Sequence, residues 1–90
     1  MNNKRIEFII NRCREDLTNE VKKFLLENHN GVLQQKIRYE WYYEIQKIFV
    51  NNRGEVVIED MDTKNGETIQ YPMESCVLDE IISIVEELKA

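Results

Sequence analysis

The feature that most constrains this chain is a helical stripe that occupies nearly its first third. From Asn3 to Asn28 the apolar side chains Ile6, Ile10, Cys13, Leu17, Val21, Phe24 and Leu25 recur mainly at steps of three and four. That spacing is one face of an α-helix and not the alternation of a strand. Phe8, Ile9 and Leu26 widen the stripe at its two ends. Arg12 with Asp16, and Glu20 with Lys23, are spaced to pair along the helix surface, at a few tenths of a kcal/mol each. The run Asn28-His29-Asn30-Gly31 then supplies residues that tolerate the left-handed conformation of a helix C-terminus. At ~1.5 Å per residue the helix is about 37 Å long, which is long for a chain of 90 residues. A chain of that length is one domain, residues 1–90, with a thin margin of buried surface.

The stretch from Lys36 to Val50 holds the only tryptophan and three of the four tyrosines. With period two, Ile37, Tyr39, Trp41, Tyr43 and Ile45 share one face. With period 3.6, Ile37, Trp41, Ile45, Ile48 and Phe49 make a stripe, so periodicity alone is ambiguous. The richness in Tyr, Trp, Ile, Phe and Val decides for a strand. The phase change at "KIFV" calls for a β-bulge near Gln46–Lys47. Downstream, "IFV-NNRG-EVVIEDM" and "VVIEDMD-TKNG-ETIQY" each read as two strands joined by an Asn/Gly turn. The middle of the chain therefore predicts a meander over roughly 36–50, 55–62 and 67–71. Pro72 stops the last strand, Ser75 is a candidate N-cap, and Val77, Leu78, Ile81, Ile82, Val85 and Leu88 form a second helical stripe to the C-terminus.

The expected architecture is α+β in the order α-β-β-β-α. A three-stranded antiparallel meander carries a long N-terminal and a shorter C-terminal helix packed on one face. Ile37, Tyr39, Trp41, Tyr43 and Ile45 are then expected to face the helices. Tyr42, with Val57 and Met61, is expected on the open face, where a contiguous apolar patch would serve as a contact surface.

Charge narrows the function. The net charge is −5, which argues against a general nucleic-acid binder. Residues 1–54 carry +3 and residues 55–90 carry −8. Such asymmetry between halves points to a charged partner, or to two halves that neutralise each other. The basic residues of the first helix, Arg5, Arg12, Arg14, Lys22 and Lys23, are interrupted by Glu7, Glu15, Asp16 and Glu20, so they read as a mixed solvated face. The N-terminus lacks the apolar core of a signal peptide, and no run approaches the ~20 apolar residues of a membrane helix. Cys13 and Cys76 both fall on apolar helical positions, as buried reduced thiols of a cytoplasmic protein would.

"DMDTKNGETIQY", Asp60 to Tyr71, fails as a calcium loop, because Lys64, Gly66 and Tyr71 stand where a ligand, a different residue and a glutamate are needed. Two cysteines and one histidine give no zinc spacing, and three isolated glycines give no phosphate-binding loop. Cys76 at a helix start is the one candidate nucleophile, with His29 as its only histidine partner, but Glu74 and Asp79 beside it oppose a thiolate. The element order is shared with double-stranded-RNA-binding domains. Those place a lysine cluster at the start of the last helix, where this chain has "PMESCVLDE", so the likeness stops at topology.

The expectation is a cytoplasmic, non-enzymatic, small acidic protein-interaction module without cofactor or metal. It would act as an inhibitor or regulator that binds the basic surface of a larger protein, since charge complementarity speeds encounter and selects partners. The partner-binding residues expected are Asp60, Asp62, Asp79, Glu80, Glu86 and Glu87, with Tyr42 as an apolar anchor. Nucleic acid and membrane are not expected as partners. Two alternatives stand beside this reading. One is a structural homodimer through the open sheet face or the long first helix. The other is a small thiol-dependent enzyme using Cys76.

Overall fold

A computed structural model describes residues 3–89. The element order is α1 (Asn3–Asn28), β1 (Val32–Arg38), β2 (Tyr43–Val50), β3 (Val56–Asp62), β4 (Thr68–Pro72), a 3-10 turn (Met73–Ser75) and α2 (Leu78–Lys89). The α+β class holds, with a long N-terminal helix and a short C-terminal one. The sheet has four strands and not three, all antiparallel, in the order β1-β2-β3-β4.

Helix α1 ends where Asn and Gly predict it. The amides of His29 and Gly31 both donate to the Leu25 carbonyl, at 2.9 and 3.0 Å. Asn30 and Gly31 take positive φ angles of 54° and 86°, a conformation that glycine adopts without the steric cost of a Cβ. The β2–β3 and β3–β4 turns also follow their side chains. The Asn51 carboxamide oxygen accepts from the amides of Arg53 and Glu55. The Asp62 carboxylate accepts from the Lys64 amide and the Asn65 carboxamide. These are local Asx-type contacts that substitute for ladder bonds.

The fourth strand comes from a hairpin inside the stretch expected to be one strand. The chain turns at Glu40-Trp41. The Tyr39 amide donates to the Tyr42 carbonyl at 2.8 Å, and Arg38 pairs with Tyr43. Nothing in "YEWY" supplies the glycine or asparagine that usually marks a two-residue turn. The expected bulge is not needed: Gln46 pairs with Asp60 and Lys47 with Glu59 in unbroken register.

The turn also corrects the expected core face. Partners in β1 and β2 share a face, and an odd-numbered residue pairs with an even-numbered one, as Leu33 with Ile48. Crossing the turn therefore exchanges odd for even, and the apparent alternation from Ile37 to Ile45 spans both faces. Tyr43 and Ile45 lie on the open face. Trp41 stands in the turn with 85% of its surface exposed. The helices instead cover Leu33, Ile48, Val50, Val56, Ile58 and Tyr71. Val21 and Leu25 of α1, Met73 and Cys76, and Ile81, Ile84 and Val85 of α2 complete this core. Two further expectations change. Cys13 is exposed, and it and Cys76 are both free thiols. Ser75 does not cap α2, because its hydroxyl donates to the Pro72 carbonyl and closes the 3-10 turn.

Candidate functional site

The covered face of the sheet is only half apolar. One residue pair beyond the Leu33–Ile48–Ile58–Tyr71 row, the side chains become polar and bond in sequence across the strands. Gln35 Nε2 donates to Gln46 Oε1 at 2.6 Å, and Gln46 Nε2 donates to Asp60 Oδ1 at 3.2 Å. Tyr71 Oη donates to Asp60 Oδ2 at 2.8 Å. Gln46 and Asp60 each sit between two partners of complementary type, with Gln35 and Tyr71 at the ends, so the row favours this strand register. Tyr39 extends the polar end by donating to Glu44 Oε2 at 3.3 Å.

Electrostatics link this row to the start of α2. Burial pushes the Cys76 thiol up to about 11, helped by the charge and hydrogen bond of Glu80 and by Asp60. The Tyr71 phenol is raised by burial first, then by its hydrogen bond to Asp60 and the charges of Asp60 and Glu80. Tyr39 is raised chiefly by Glu44. The fold thus gathers Asp60 and Glu80 around Tyr71 and Cys76. It does not gather the other expected residues with them.

Asp62 is held by the β3–β4 turn as described. Tyr42 is stacked on Tyr39 with ring centroids 4.8 Å apart, at the hairpin turn and not on the open sheet face. Lys36, Arg38 and Tyr43 line a groove beside it, Lys36 Nζ lies 3.9 Å from the Tyr43 ring centre, and Glu44, bonded to Tyr39, stands at the same end. Trp41 at the hairpin tip is the exposed aromatic that sequence reasoning placed in the core. No turn residue beside it could have signalled otherwise.

Helix α2 presents the remaining acids. Its buried side is Ile81, Ile84 and Val85, with Leu88 partly buried. At about 100° per residue, Asp79, Glu80, Ile82, Ser83, Glu86 and Glu87 fall on the opposite side, and all six are exposed. Asp79, Glu86 and Glu87 have no ion-pair or hydrogen-bond partner among the described residues.

Catalytic geometry is weaker. Cys76 is 5% exposed, and a thiol with a pKa near 11 is protonated at neutral pH. His29 packs its ring against Phe24, with centroids 5.3 Å apart. A cleft between α1 and the β2–β3 turn, lined by Thr18, Lys22, Glu55 and Glu74 among others, has a volume of about 90 Å³, below the ~300–1,000 Å³ of typical small-molecule pockets; an open polar groove lined by Asn11, Arg14, Glu15 and Glu74 reaches about 330 Å³, but none of those four residues is a cysteine, serine or histidine. Among the described residues no group of three or more His, Cys, Asp or Glu could hold a metal ion. No described helix is long and apolar enough to cross a membrane. No protein-family model, curated protein or solved structure matches the chain.

Proposed function

We propose that this protein is a small interaction module, without catalytic activity of its own, that binds the basic surface of a larger protein through the outer face of α2 and thereby inhibits or regulates it. The observation that carries this reading is the solvent side of α2: Asp79 and Glu86 flank the exposed Ile82 one turn before and one turn after it, and Glu80 and Glu87 line the other edge of the same exposed side. An apolar contact bordered by charge suits a selective contact patch.

Two of those acids oppose local stability. Glu86 and Glu87 stand in the last turn of α2, where the negative end of the helix dipole disfavours them. Residues that break a local rule tend to mark functional positions. Asp60 and Asp62 have their oxygens occupied within the fold, so they belong to the scaffold of this reading and not to its contact surface. The buried, protonated Cys76 weighs against the thiol-enzyme alternative. The aromatics of the β1–β2 hairpin, with Lys36 and Glu44 both beside them, are a separate surface.

The test is affinity capture on the wild-type chain beside a bait carrying Asp79→Lys, Glu86→Lys and Glu87→Lys. Glu80 is left intact because it bonds Cys76. A basic protein should be retained at low salt by the wild type, lost on the variant bait and released as ionic strength rises. Equal capture by both baits, with the variant folded, refutes the acidic-face reading.

A further inference from the structure

The first half of α1 is built as a helix that the fold leaves uncovered. Its buried residues are Thr18, Val21 and Leu25. From Asn3 to Cys13 only Ile10 is even partly buried. An isolated helix shorter than ~12–15 residues is marginal in water, and most helical stability in proteins comes from packing an apolar face. That face is present here. Ile6, Ile9, Ile10 and Cys13 follow the i, i+3, i+4, i+7 pattern and lie within an arc of about 100°. Ile6 and Ile9 remain 39% and 51% exposed, and Cys13 is exposed too. Further along the same side, Glu20, Val21 and Phe24 meet Val85 and Leu88 of α2. With 12 residues against 26, α2 cannot cover the whole stripe.

We infer that the uncovered half of α1 packs antiparallel against the same segment of a second copy, giving a two-fold homodimer. The charges beside the stripe specify this partner. Glu7 and Arg14 flank it on one side, about 20° apart around the axis, and Arg5 and Asp16 flank it on the other with the same spacing. A two-fold antiparallel pairing sets Ile6 level with Cys13 of the second copy and Ile9 level with its Ile10. Two residues, or about 3 Å, from that level, Glu7 meets Arg14 of the second copy and Arg5 meets its Asp16, within the reach of these long side chains. The symmetry repeats both, so four opposite-charge contacts border the apolar seam.

The flanking groups are suited to this. Arg14 makes one hydrogen bond, from Nη1 to the Asn11 side chain at 3.1 Å, and its buried Nε has no partner. Among the described residues Asp16 pairs with Arg12 alone, at 3.6 Å in an exposed pair. An interface closed by two-fold symmetry requires one self-complementary patch, and this segment is one. The surface is separate from the acidic face of α2 and does not depend on it.

Sedimentation velocity of the full chain tests the inference over a concentration series. The wild type should reach twice the chain mass of 10.8 kDa. Ile9→Asp, at an exposed site, should halve that mass while circular dichroism shows the sheet and α2 retained. Glu7→Arg and Arg14→Glu should each weaken the dimer on its own, and an equimolar mixture of the two should restore it, because antiparallel pairing then sets arginine against glutamate at both ends. A wild type that stays monomeric overturns the inference, as does a dimer indifferent to Ile9→Asp. A mixture no tighter than the single variants overturns the antiparallel register.

Discussion

Alkaline pH should unfold this protein earlier than its composition suggests, and one thiol accounts for a defined part of the effect. Cys76 is buried between the 3-10 turn and α2, and its pKa rises from 9.0 to about 11 through burial, then through Glu80 and Asp60. The fold favours the protonated thiol. Its contribution to stability is therefore complete below pH 9, falls as the pH rises from 9 towards 11, and is gone above that. At ~1.4 kcal/mol per pH unit the whole effect is about 3 kcal/mol, and at pH ~10.5 about 2 kcal/mol of it is lost. That is a large share of the ~5–15 kcal/mol that holds a typical domain together. Urea denaturation of wild type and Cys76→Ala, at pH 8 and pH 10.5, isolates the thiol. The substitution lowers stability at both pH values by leaving a small void, but the variant should lose about 2 kcal/mol less than the wild type between them. The raised Tyr71 phenol titrates in both proteins and largely cancels. Equal losses in the two proteins would mean that Cys76 is not held protonated by the fold, and the environment argued for it would be wrong.

Two shorter predictions address the sheet. Trp41→Ser should change stability by no more than ~0.5 kcal/mol in urea titrations, and the native protein should show the fluorescence of a solvated indole, because the side chain stands free in the β1–β2 turn. Tyr71→Phe removes the phenol that donates to Asp60 at 2.8 Å; it leaves a partly buried carboxylate oxygen unpaired and should cost about 1–3 kcal/mol, read by the same titration.

The elements legible in the sequence are those whose ends carry their own chemistry. Helix α1 was readable to the residue because its stripe is long and Asn30-Gly31 can adopt positive φ. The turns at Asn51–Gly54 and Asp62–Gly66 were readable because asparagine and aspartate side chains organise their own backbones. The β1–β2 hairpin was not. Its turn residues, Glu40 and Trp41, have no preference for a turn, and the aromatic alternation on either side conceals the reversal. That one omission displaced the core, because the turn exchanges odd for even positions. Leu33 and Ile48 lie on the two strands that this hairpin joins, and they oppose each other only once it is in place. Met73 was missed for a related reason: a single 3-10 turn has no periodicity to read.

The acidic candidates were legible as a composition but not as a surface, and the reason lies in what each carboxylate meets. The −8 carried by residues 55–90 looks uniform along the chain. In three dimensions it divides. Asp60 is answered by Gln46 and Tyr71, and Asp62 by the Lys64 amide and Asn65, all donors without net charge. Dipolar donors satisfy the oxygens but leave the field in place, so Asp60 adds to the burial that raises Tyr71 and Cys76. On α2, Asp79 and Glu80 gain from the helix dipole, while Glu86 and Glu87 oppose it. The cations of the chain are concentrated before residue 55, on α1 and the β1–β2 hairpin, and the three unpaired acids of α2 reach none of them among the described residues. Among the described residues, then, no ion pair joins the acids of α2 to the cations of the first half, and that charge pattern is what the proposed contact with a basic partner rests on.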